Sequence, residues 1–167
     1  MTDAQTFTIT HTFDAPRELM WKAWTEPKLF AQWFGPKGVS AQAHIMDVRV
    51  GGIVHASLKT PEGYEMWAKF VYREIVPPSR LAWEHFFSDK DGGVTRHPFL
   101  KDWPLKLLTT VVFEDAGSKT KLTLTWTPLD ATDAERKTFA DNMQSMNQGW
   151  GGSFEQLETF LSKAKAA

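Results

Sequence analysis

From Val39 to Trp126 the sequence is a succession of strand-like segments with no helix-length stretch between them, and this limits the fold more than any single motif does. Apolar, aromatic and β-branched residues recur at period two over residues 40–50, 53–59, 64–75, 80–87, 107–114 and 121–126. The joints are Gly51-Gly52, Pro61-Glu62-Gly63, Pro77-Pro78, Gly117-Ser118 and a longer connection from Ser88 to Lys106. Parallel neighbours need a long crossover, usually a helix, whereas tight turns join antiparallel ones. An antiparallel meander is therefore expected, and a doubly wound nucleotide-binding sheet is excluded.

The flanks have a different character. Residues 6–13 alternate as a first strand, and Asp14-Ala15-Pro16 marks a helix start with Asp14 as the expected N-cap. That helix, about residues 16–24, gathers Leu19, Met20, Ala23 and Trp24 on one side. A second short helix is expected after Pro27, carrying Leu29, Phe30, Trp33 and Phe34 and ending at Gly35-Pro36-Lys37-Gly38. Beyond Pro128-Leu129-Asp130, apolar residues recur at intervals of three and four from Phe139 through Met143, Met146, Trp150, Phe154 and Leu157 to Leu161, which predicts one long amphipathic helix over about 132–164. Gly149, Gly151 and Gly152 interrupt it. A helix-interior glycine costs about 0.5–1 kcal/mol relative to alanine, so three together predict a kink or a close approach of helix to sheet. The expected fold class is α+β: a curved antiparallel sheet of about seven strands, two short helices after the first strand, and a long C-terminal helix covering one sheet face. A sheet wrapped around a helix leaves space at its open end, and that space is the candidate cavity.

The chain's 167 residues make one domain. With 19 basic and 20 acidic side chains the net charge is −1, so no overall field draws it to nucleic acid or an anionic membrane. Absence of cysteine removes disulfides, thiolate metal sites and cysteine nucleophiles. Met1 to Gln5 hold no apolar run, so neither a secretory signal nor membrane insertion is expected, and a cytoplasmic location follows. Against this plain background stand 8 Trp and 12 Phe beside 2 Tyr, a composition that fits either a bulky packed core or a cavity walled with indole rings.

Four stretches in order, Trp33-Phe34-Gly35-Pro36, Asp47-Val48-Arg49-Val50-Gly51-Gly52, Arg73 to Leu81 across Pro77-Pro78, and Gly149-Trp150 with Leu157, resemble the domain homologous to the C-terminal part of the activator of Hsp90 ATPase. That family belongs to the START-like, helix-grip superfamily of polyketide cyclases, lipid-transfer domains and Bet v 1-like proteins. The resemblance covers about Phe7 to Leu161 and implies the helix-grip fold, in agreement with the order of elements. It also suggests an Hsp90-type chaperone as a partner. The eukaryotic activators, however, stimulate Hsp90 with the help of a separate N-terminal domain, and this sequence opens on the first strand of the grip. The superfamily uses one cavity for many ligands.

Several motifs have a purely architectural account. The glycines of Asp47 to Gly52 allow a tight turn, with Asp47 and Arg49 on one strand face, and Arg73, Glu74 and Arg80 brace the next turn. His11, His44, His55, His85 and His97 show neither HxH nor HExxH spacing, so no metal site is expected, and no dinucleotide or phosphate-loop motif points to a cofactor. Alternation puts His85 inward with Leu81, Trp83 and Phe87, suggests an inward His44, and puts His55 and Trp67 outside, the latter as an association surface. The cavity is expected to bind a small apolar molecule on Trp33, Met46, Met66, Phe70, Tyr72, Trp83, His85, Met143, Met146 and Trp150. The connection 88–106, too apolar for a solvated linker, folds back in this reading as a lid bearing Trp103 or as a homodimer contact. Two other functions stay open: a protein-interaction module of co-chaperone type, and a cyclase- or hydrolase-like enzyme with His85 as acid–base group.

Overall fold

The computed structural model describes residues 6–36 and 38–166, the last without its side chain; the expectations for Met1 to Gln5 and for Lys37 lie outside them. The chain runs β1 (Phe7–Phe13), α1 (Arg17–Thr25), α2 (Pro27–Phe30), β2 (Ser40–Met46), β3 (Ile53–Lys59), β4 (Glu65–Val76), β5 (Arg80–Ser88), β6 (Val94–Thr95), β7 (Leu107–Ala116), β8 (Lys119–Pro128), α3 (Asp133–Asp141) and α4 (Met143–Ala166). The strands form one sheet in the order β1-β8-β7-β5-β4-β3-β2, antiparallel at every pairing, with the short β6 added beside β5. This is the expected helix-grip architecture, with β6 as an eighth strand inside the long connection. β1 and β2 follow each other in the chain but lie at opposite edges of the path, with the two short helices between them, so β1 pairs with the distant β8.

Helix α4 lies against one face of this sheet, its Phe154 ring 5.3 Å from Phe13 and its Trp150 ring 5.6 Å from Trp126. Polar contacts hold it in register with the segment after α2. Ser153 Oγ donates to the Gly35 carbonyl at 2.8 Å, and Gln156 Nε2 donates to the carbonyls of Trp33, Gly35 and Pro36. At its far end Lys165 pairs with the Asp14 carboxylate at 3.3 Å. Asp14 is thus a helix-tethering residue and not the N-cap of α1: Pro16 occupies that position without a side-chain cap.

The expected single helix is two. Asn142 leaves helical geometry between α3 and α4, with its Nδ2 bonded back to the Thr138 carbonyl at 2.7 Å. Helix α3 begins at a capping box in which Thr132 and Glu135 satisfy each other's backbone N–H groups. Through the three-glycine stretch α4 runs unbroken, so the kink sits one element earlier than the glycines suggested.

Two local irregularities set which side chains face the helix. A bulge between Ala43 and Ile45 inserts His44 as an extra residue and reverses the alternation of β2 beyond it. Ala41 and Ala43 before the bulge, and Met46 after it, therefore share the inner face, while Ile45 stands 52% exposed. The turn from Asp47 to Gly52 is present as expected, but β2 ends at Met46, so Asp47 and Arg49 lie in the turn and not on a strand face. Arg49 pairs with Asp47 at 2.7 Å, and a Cβ on Gly52 would collide with the Asp47 carbonyl oxygen. Arg80 pairs with Glu74 at 2.7 Å beside the Pro77-Pro78 turn. Among the described residues no helix is long and apolar enough to cross a membrane.

Candidate functional site

The face between sheet and α4 is filled at one end and hollow at the other. At the filled end Trp24, Trp33, Trp83, Phe13 and Phe113 are all at most 1% exposed. The Trp24 and Trp33 rings lie 4.6 Å apart, Trp83 is 4.8 Å from Phe70, and Trp24 reaches Phe113 at 6.0 Å. Trp33 Nε1 donates to the Ala23 carbonyl at 2.9 Å, tying the segment after α2 to α1.

At the other end a cavity of about 270 Å³ opens between the ends of β3, β4 and β5, the connection 95–106 and the first turns of α4. Its origin is a deficit of side-chain volume on facing elements. Ala43, Ala56 and Ala68 form one cross-strand row that continues to Phe87. Opposite them α4 presents Gly149, in a helical stripe with Asn142, Ser145, Met146 and Ser153. A Cβ built on Gly149 meets nothing within 4 Å. Gly149 thus marks open space, not the close approach to the sheet that the sequence suggested. Gly35, on the cavity wall with φ +106°, has no such freedom: a Cβ there would come within 2.9 Å of Leu58.

Of the side chains expected on the wall, Met66, His85, Trp103, Met146 and Trp150 line the cavity. Trp33, Phe70, Tyr72 and Trp83 are buried in the filled end, and Met46 and Met143 pack against the core beside it; none of these six lines the cavity. Phe70 takes part indirectly, since its ring supports that of His85 at 4.7 Å. The wall also includes Phe34, Leu58, Phe87, His97, Leu100, Leu105 and Trp126, which the sequence reading did not single out as ligand-contacting. Alternation from His85 could have found Phe87, and the apolar run 97–105 could have found His97 and Leu100.

The connection 88–106 folds back and forms one wall. Arg96 pairs with Glu135 at 2.6 Å, His97 packs on Phe87 and Trp103, and Trp103 on Phe139 at 5.6 Å. The Glu135 carboxyl is held below its usual range by the Thr132 backbone N–H and by Arg96. His97 Nδ1 accepts the backbone N–H groups of Phe99 and Leu100 at 3.0 and 3.1 Å, and burial lowers the pKa of the ring.

His85 sits at the inner end of the cavity between Phe70 and Trp126, screened from bulk solvent yet open to the cavity itself. Burial pushes its pKa down to about 3, so the ring is neutral at physiological pH. Its Nδ1 is buried with no hydrogen-bond partner, which leaves Nε2 as the nitrogen that reaches the cavity. Among the described residues no Asp, Glu, Lys or Arg lines the space.

The other histidines are elsewhere. His44, turned outward by the bulge, is exposed and bonds Ser57 at 2.9 Å, contrary to the inward expectation. His55 is on the outer face as expected but only 5% exposed, because Asp89 and Ser88 bond its ring and Trp67 stacks on it at 4.7 Å. Trp67 is half-buried between His55 and His44 and is not an open association surface. Among the described residues no cluster of three or more His, Cys, Asp or Glu could hold a metal ion.

A single antiparallel sheet gripping a long C-terminal helix, with a cavity at one end of the grip, defines a helix-grip protein. Solved structures of the same shape include proteins from Arthrobacter aurescens (TM-score 0.82, 23% identity, 98% of this chain and 89% of that one) and Nitrosomonas europaea (TM-score 0.78, 24% identity, all of both chains). Another comes from Mycobacterium smegmatis, with a TM-score of 0.78 and 22% identity over 96% of this chain and 93% of that one. The chain belongs to the Activator of Hsp90 ATPase homolog 1-like protein family, whose sequence model matches residues 14–162. Among curated proteins, none matches it.

Proposed function

We propose that this protein binds a small, largely apolar molecule in the cavity between its sheet and α4. The observation that carries the reading is the cavity itself: about 270 Å³, walled largely by aromatic, Met and Leu side chains with no charged group among the described residues, beside a core that is otherwise closely filled. Protein interiors pack to the density of organic crystals, so a void of this size bordered by Ala68 and the helix residue Gly149 is a property of the sequence. Few convergent polar groups on an apolar wall are the usual make-up of a small-molecule site.

The same geometry favours binding over acid–base chemistry. A general acid or base works best with a pKa near the operating pH, and His85 lies far below it, with no side-chain carboxylate or hydroxyl bonded to it. Native mass spectrometry of protein purified from its own host tests the proposal. A retained small molecule is the expected result. An empty chain that co-purifies with a chaperone would overturn it in favour of the co-chaperone-like module.

A further inference from the structure

The chemistry of the cavity's inner end narrows the ligand class, on the premise that the cavity is a binding site. His85 has two tautomers. With the proton on Nδ1, the ring would bury a donor that nothing accepts, because that atom has neither a protein partner nor solvent access. With the proton on Nε2, only a lone pair is left unpaired at the buried nitrogen, and the Nε2–H reaches the cavity. Buried N–H groups without an acceptor are the rarer and costlier orphans, so the second tautomer is the favoured one.

His97, which also lines the cavity and packs on Phe87, repeats the pattern. Its Nδ1 accepts two backbone N–H groups, which places the proton of the neutral ring on Nε2. The other polar side chains on the wall are Asn142, Ser145 and Ser153; Ser153 Oγ spends its proton on a backbone carbonyl and Asn142 Nδ2 donates to the Thr138 carbonyl, and no carboxylate lines the space among the described residues. The space is thus largely apolar, uncharged among the described residues, and offers the His85 N–H as a donor at its inner end.

We infer that the cavity takes an uncharged, largely apolar molecule bearing a hydrogen-bond acceptor, such as a carbonyl oxygen, which receives the Nε2–H of His85 at the inner end. An anion finds no cation among the described wall residues and would be desolvated without compensation from them. A pure hydrocarbon fits the space but leaves the His85 donor unpaired.

Three probes of one shape separate these cases: tetralin, 1-tetralone and 1,2,3,4-tetrahydro-1-naphthoate, titrated calorimetrically at neutral pH. In a cavity without a donor the ketone binds more weakly than the hydrocarbon, because its carbonyl gives up water for nothing. The expected order here is the reverse, with 1-tetralone about tenfold tighter than tetralin, one well-placed hydrogen bond, and the carboxylate not bound. In His85→Phe the ketone should lose its advantage while tetralin still binds. Should that variant not fold, histidine-labelled nitrogen NMR of the unaltered protein gives a second readout: the His85 Nε2 resonance should move with 1-tetralone and not with tetralin. Tetralin binding as tightly as or more tightly than 1-tetralone would overturn the acceptor proposal and leave the binding-site reading standing. If neither neutral probe binds, both fall.

Discussion

The two ends of the sheet–helix interior use the same residue types to opposite effect. In the filled end Trp24, Trp33, Trp83, Phe70 and Phe113 interlock, and each ring is covered on all sides by others. In the hollow end Trp103, Trp126 and Trp150 stand around empty space because the positions facing them are Ala68, its row neighbours Ala43 and Ala56, and Gly149. Aromatic content does not decide between a core and a cavity. What decides is whether small residues on the opposing element withhold the volume that would complete the packing.

The largest effect should separate the two ends by stability. Trp83→Ala, in the filled end, is expected to cost about 3–5 kcal/mol by urea denaturation, the range for a buried Trp or Phe truncation. Met66→Ala, on the cavity wall and only half-buried, should cost about 1 kcal/mol, since its side chain already borders open space. Equal costs would remove the distinction. Trp83→Phe sharpens it: Trp83 Nε1 is buried without a partner, so deleting that N–H offsets part of the lost ring and the cost should fall well below that of alanine.

Acid comes next. The folded protein keeps His85 neutral while the unfolded chain takes up a proton below about its ordinary pKa of 6.5. Stability therefore falls as pH drops through the window between 6.5 and about 3, by at most about 1.4 kcal/mol per pH unit. His85→Phe should flatten this part of the profile, measured as the difference in denaturation midpoints between pH 7 and pH 5. An unchanged slope would mean that the ring is solvated in the folded state.

A smaller effect concerns the wall formed by the connection 88–106. Arg96→Ala removes the tie to Glu135, and because Arg96 is 57% exposed the expected loss is about 1 kcal/mol or less. Amide exchange should rise in residues 95–105 and not in β5 or β7. Exchange that rises across the whole sheet would show that the connection is part of the core and not a separable wall.

The elements of this fold were legible because their signals are local. Period-two strands between tight turns forced the meander, and the apolar stripe from Phe139 to Leu161 required a long helical cover. The break at Asn142 was not legible, since the stripe continues across it, although Thr132 and Glu135 spell the capping box that starts α3. His44 was misplaced because one bulge residue inverts every later assignment on a strand, and a bulge carries no obligatory residue type. The cavity wall was half legible for a different reason. Which face a side chain takes follows from alternation, but which level of the sheet it occupies depends on register between strands. Trp83 and His85 share a face two residues apart, yet one is in the filled end and the other in the hollow one. The alanines at 43, 56 and 68 signal nothing until pairing brings them into one row.

Gly149 offers the most direct test, because it withholds a side chain from the centre of the cavity-facing stripe of α4 and has open space where that side chain would go. Gly149→Leu should raise or preserve thermal stability, since leucine is the better helix former by up to about 1 kcal/mol. The same substitution should weaken binding of tetralin at least about tenfold by filling the site, the loss of roughly 1.4 kcal/mol. A variant of undiminished stability that binds tetralin as tightly as the unaltered protein would contradict the claim that this cavity is where the ligand goes.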